Sequence, residues 1–138
     1  MRLLRCFRKS FSTNKILLVD GDQITIKPSH KVPLMSRFGE IHIFKNHFSD
    51  TQRANYTLGW CHEHVLTKEA SIKEAVDHAV TFYCGENYQN WMNLRAQITI
   101  VSKDKSFRNV QNFLQDKGIP CYLRGGLPNI YDGFKRMV

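Results

Sequence analysis

Apolar residues in this chain come in two rhythms. Short unbroken or alternating runs carry the signature of strands, and runs spaced three and four apart carry that of helices. Lys15 to Asp20, KILLVD, is a continuous apolar run ending in an acid and predicts a buried strand. Glu40 to Lys45, EIHIFK, alternates and predicts a second strand, and Gly59 to Leu66 offers a third. Between the first two, Pro28, Pro33 and Gly39 allow only a short or irregular helix. From Ser71 to Tyr83 the stripe Ile72, Val76, Ala79, Val80, Tyr83 predicts an amphipathic helix that Gly85 would end. A further short helix is expected over Tyr88–Arg95. Ala96 to Val101, AQITIV, is a fourth strand. The helix after it would be capped by Ser106, would turn Val110, Phe113 and Leu114 inward, and would stop at Gly118. Ile119 to Leu123 completes the set as an edge strand, given Pro120.

Strands alternating with helices imply an α/β fold. The expectation is three layers: a central, mostly parallel sheet of about five strands with helices on both faces. In such sheets the functional crevice lies beyond the carboxyl ends of the strands. Two of the expected strands end in acids there. VDGDQ places Asp20 and Asp22 after the first, and ITIVSKD places Asp104 after the fourth. If the two strands are neighbours, their tips stand about 5 Å apart. Asp77 lies on the flank of the helix stripe, where it is either a solvated border residue or a fourth member of the group. Clustered carboxylates raise one another's pKa values unless a cation sits among them. Hard oxygen ligands suit Mg²⁺ or Mn²⁺, which activate water and hold phosphate oxygens.

Charge adds an anionic partner to that picture. The net charge is +8, with 20 Lys and Arg against 12 Asp and Glu in 138 residues. Arg2, Arg5, Arg8, Lys9 and Lys15 precede any acid, and Lys103, Lys105 and Arg108 flank Asp104. Nucleic acid is one reading of such a surface, and solubility charge is the other. Residues 1–14 read as a basic tail, with a transit peptide as the alternative, ahead of one domain over 15–138. The four cysteines form no CxxC pair, and with no secretory signal or apolar span the expectation is free thiols in the cytoplasm. Cys61-His62-Glu63-His64 has the look of a metal cluster. Neighbours in a strand point to opposite faces, so the four side chains cannot all converge.

Taken in order, ILLVDGDQ, EIHIFKN, KEAVDHAVTFYCG and ITIVSKDKSFRNVQNFLQDKGI resemble the NYN and related PIN-like nucleases. The resemblance runs from about Lys15 to Leu123 and is most specific around Ser102 to Ile119. It implies a metal-dependent ribonuclease acting on single-stranded or structured RNA. Asp20, Asp77 and Asp104 would be catalytic and, with Asp22, would bind Mg²⁺ or Mn²⁺. Ser102, Lys103, Lys105, Ser106 and Arg108 would bind substrate, and Tyr88, Trp91 and Tyr131 are candidates for base stacking. Many PIN-like members place another acid where this chain has Ser106, which motivates an alternative: an inactive nucleic-acid- or protein-binding module, as a homodimer or a subunit. A haloacid-dehalogenase-type phosphatase also opens with D-x-D after a strand. Gln23 and Ile24 depart from that family's pattern, and its later acid pair is absent.

Overall fold

The computed structural model describes residues 14–46, 59–66 and 74–127. Five strands form one sheet: β1 (Lys15–Asp20), β2 (Glu40–Lys45), β3 (His62–Val65), β4 (Gln97–Val101) and β5 (Cys121–Arg124). Their order across the sheet is β3-β2-β1-β4-β5, and every pairing is parallel. Three helices connect them: α1 (Lys31–Arg37), α2 (Ala75–Leu94) and α3 (Arg108–Asp116). No helix among the described residues is long and apolar enough to cross a membrane.

The period of two along β1 builds both halves of the core. Ile16 and Leu18 join Phe44, Ile98 and Ile100 beneath α2 and α3, with Val76, Val80, Trp91, Val110 and Leu114 from those helices. Leu17 and Val19 join Ile41 and Ile43 on the other face, with Ile24, Ile26 and Leu34 of α1. All four apolar β1 residues are fully buried, so β1 is the sheet's central rib. Its continuous apolar run follows from burial on both faces.

Most expected strands stand where the pattern placed them, and the helices account for the differences. Gly85 does not end a helix. One helix of 20 residues runs through it to Leu94, so the short helix expected over Tyr88–Arg95 is the second half of α2. The reason is tertiary: beyond Gly85 the helix still has Trp91 to bury, and that residue is 4% exposed. A single glycine costs only about 1 kcal/mol in a helix interior. The stop comes at Arg95, in the left-handed conformation with φ 54°. The first turn of the predicted helix, with Ile72, lies outside the described residues. Asp104, rather than Ser106, caps the segment after β4: its side chain accepts the Ser106 amide ahead of a 3-10 turn over Lys105–Phe107. Phe113 does not face inward and is 41% exposed. Gly118 ends α3 as expected, with φ 79°.

Candidate functional site

The chain leaves β1 toward β2 on one side and returns to β4 on the other. The sheet therefore reverses its winding between β1 and β4, and a crevice opens beyond their carboxyl ends. Val19 pairs with Val101, so Asp20 and Ser102 are the next residues out on adjacent strands. Gly21 is required at the turn. A Cβ there would stand 2.7 Å from the Phe44 carbonyl oxygen, which accepts the Gly21 amide at 2.8 Å.

Asp20 is buried, at 2% exposure. Ser102 Oγ donates to its Oδ2 at 2.8 Å, and the Asp22 amide donates to its Oδ1 at 3.2 Å. Burial raises the Asp20 pKa above the ordinary carboxylate value. The bonds from Ser102 and Asp22 oppose that rise, and the nearby charges of Asp22 and Asp104 add to it. Asp104 lies across the crevice. Its amide donates to Ser102 Oγ at 3.0 Å, and its Oδ1 accepts the Ser106 amide at 2.9 Å.

Asp77 comes down on this pair from the first turn of α2 and hydrogen-bonds to Asp104. Its pKa is pushed up to about 7, first by burial and then by that bond and by the charges of Asp104, Asp20 and Glu74. Asp104 moves the other way, lowered chiefly by the Ser106 amide and then by the bond to Asp77. The shared proton therefore sits on Asp77 and the charge on Asp104. Asp77 thus meets Asp104 and feels the charge of Asp20, but the three carboxylates do not converge as one set of ligands.

The remaining sequence candidates divide by position. Asp22 Oδ1 accepts the Asn46 amide at 3.2 Å, tying the turn after β1 to the end of β2. Ser102 is committed to Asp20. Lys103, Lys105, Ser106 and Arg108 are exposed along the rim beside Asp104. Trp91 is in the core, Tyr88 packs edge-on to Phe113 at 5.3 Å between ring centroids, and Tyr131 lies outside the described residues. Neither described ring is placed to stack on a base at the acids. Gln23 was missed by the sequence reading. Its Oε1 accepts the Lys103 amide at 2.7 Å and stands 3.2 Å from Ser102 Oγ, joining the two loops. Its position immediately after D-G-D was the available signal.

An apolar groove opens between α2 and α3, which both start at the carboxyl edge of the sheet. Thr81, Phe82, Cys84, Gly85, Val110 and Phe113 line a volume of about 520 Å³. Thr81 stands one helical turn beyond Asp77, and its hydroxyl donates to the Asp77 carbonyl at 2.8 Å. Phe82 is 68% exposed. Asp77, with its pKa pushed up to about 7, thus stands one helical turn from an apolar groove, and basic side chains are exposed beside Asp104.

The fold is α/β, with an all-parallel five-stranded sheet and three helices among the described residues. Over residues 13–124 the chain matches the family described as Acyl-CoA thioesterase, and it belongs to that family. No curated protein and no solved structure matches it. The family match overturns the NYN and PIN-like resemblance, and with it the ribonuclease assignment. The order of strand-end acids that carried the resemblance reflects the switch point of a parallel sheet, which many chemistries share.

Proposed function

We propose that the protein hydrolyses acyl-CoA thioesters on a three-layer α/β scaffold, with Asp77 as general base. The observation that carries this reading is the Asp77–Asp104 pair, whose Asp77 member has a pKa of about 7. A base is most effective when its pKa lies near the working pH. Asp77 takes a proton from water as the water oxygen attacks the thioester carbonyl carbon. The tetrahedral adduct then collapses, the carbon–sulfur bond breaks, and the departing sulfur receives the proton from Asp77. The products are a carboxylic acid and a free thiol. Asp104, ionised and held by the Ser106 amide, keeps the affinity of Asp77 for a proton high and accepts a hydrogen bond from it once that proton has been taken. Asp20 and Ser102 fix the loop that carries Asp104. Mg²⁺ and Mn²⁺ belong to the nuclease expectation, and no step here uses them.

The surroundings suit the two ends of such a substrate. The groove between α2 and α3 offers an apolar wall to the acyl chain, and its volume falls in the range of ordinary ligand sites. Lys103, Lys105 and Arg108 face the phosphates of the nucleotide end. A basic rim serves a small polyphosphate as well as it would serve a polynucleotide.

The test is thiol release from a series of acyl-CoA esters by the full chain and by Asp77→Asn. The reading expects turnover by the unaltered protein and a loss of about 10²- to 10⁴-fold in the variant. Full activity in Asp77→Asn, or no turnover of any acyl-CoA by the folded protein, overturns it.

A further inference from the structure

Lower on the sheet, a second polar cluster occupies the edge that β2 and β3 form under α2. Glu40 and His42 are two apart on β2, so they share a face. His62 on β3 is the register partner of His42, and the two rings stack with centroids 4.6 Å apart. One ligand atom from each of Glu40, His42 and His62 lies within 4.8 Å of the others. Among the described residues, no other set of three histidines, cysteines or acids converges in this way.

We infer that Glu40, His42 and His62 form a binding site for a divalent transition-metal ion, with Zn²⁺ as the best-suited ion. The donor set is two imidazole nitrogens and one carboxylate oxygen. That set suits zinc, whereas Mg²⁺ and Ca²⁺ take all-oxygen sites. Four-coordinate zinc with three protein ligands keeps one position for water, and the exposed His62 leaves that side open.

The surroundings supply the orientation that a metal-binding histidine needs. The His42 side chain is only 4% exposed. Its Nε2 faces Glu40 Oε1 at 3.0 Å and the Tyr83 hydroxyl at 3.2 Å. Its other nitrogen, Nδ1, lies 3.0 Å from His64 Nε2. With Nε2 on the metal, Nδ1 carries the proton and donates it to His64. A bond of that kind fixes the tautomer and raises the basicity of the ligand. The ion would fasten the short edge strand β3 to β2 without touching the acids at the switch point, which stand further along the strands. The site is independent of the thioesterase reading.

Titration of the metal-free full chain with Zn²⁺ and with Co²⁺ tests the inference. One ion per chain is expected, with a cobalt spectrum of nitrogen and oxygen ligands and no sulfur charge-transfer band. His62→Ala is the informative variant, because His62 is exposed and its loss leaves the core intact. It should weaken Zn²⁺ at least tenfold, and Glu40→Gln should do the same. Cys61→Ala, which alters the opposite face of the strand, should bind as the unaltered chain does. Asp77→Asn should also bind normally, whatever its effect on hydrolysis. No binding, binding indifferent to His62→Ala, or a sulfur band that Cys61→Ala removes would each overturn the site.

Discussion

Asp77 carries both the reactivity of the proposed site and a cost in stability. Its folded pKa of about 7 stands above the ordinary value of 3.8. A carboxyl raised in this way favours the folded state fully below its unfolded pKa, where it is protonated in both states. That advantage fades as the pH climbs from about 4 toward 7, as Asp77 is forced to ionise beside Asp104 and Asp20. Asp77→Asn should therefore melt higher than the unaltered protein near pH 8, and the gap should close near pH 4. Thermal denaturation across that range measures it. An equal gap at every pH would show that Asp77 is not strained by its charge. The asparagine amide can still donate to Asp104, so the comparison isolates the charge. Stability gained by removing an active group is a common trade at functional sites.

At the scale of elements, the strands were legible because burial on both faces, or on one, prints directly onto the sequence. Lys15–Asp20 and Glu40–Lys45 are bounded as the pattern bounded them. Gly85 was read as a stop because local propensity counts a glycine against a helix. The decision belonged to Trp91, whose burial against the sheet no local window contains. The acids were legible in part: strand ends are visible in sequence, whereas the adjacency of β1 and β4 stood there only as a condition and comes from the strand order of the sheet. What was not legible was the cluster of Glu40, His42 and His62. It depends on the register between β2 and β3, which pairs His42 with His62, 20 residues further along the chain. The local set Cys61-His62-Glu63-His64 drew attention instead, although its members alternate between faces.

The groove between α2 and α3 makes a prediction at the same scale. Gly85 lines it, and an added Cβ there meets nothing within 4 Å. Gly85→Leu should fold normally and fill the channel. We expect KM for long-chain acyl-CoA to rise about tenfold or more while an acetyl ester is turned over as before, since each methylene buried contributes about 0.8 kcal/mol. Equal effects on both substrates would place the acyl chain elsewhere.

For the whole molecule, the excess of positive charge suits a polynucleotide or a CoA ester alike, and only the resemblance pointed to the first. A net charge of +8 draws anions of any size. The choice between a polynucleotide and a CoA ester rests on the family match, because the electrostatics cannot distinguish them. Lys105→Ala should raise KM for acyl-CoA severalfold and leave kcat in place. The same variant should act normally on a thioester of a short thiol that lacks the nucleotide. An unchanged KM for acyl-CoA would remove Lys105 from the rim that holds the phosphates. Added salt should imitate the substitution, since exposed charges are screened beyond about 8 Å at physiological ionic strength.

The central claim is that a carboxyl titrating near neutrality takes the proton from the attacking water. The pH dependence of kcat/KM for acyl-CoA hydrolysis tests it most directly. The proposed chemistry predicts a rate that climbs with pH through about 7 as Asp77 ionises, and that loses this limb in Asp77→Asn. A profile that is flat through neutrality, or a limb that survives in Asp77→Asn, would contradict it.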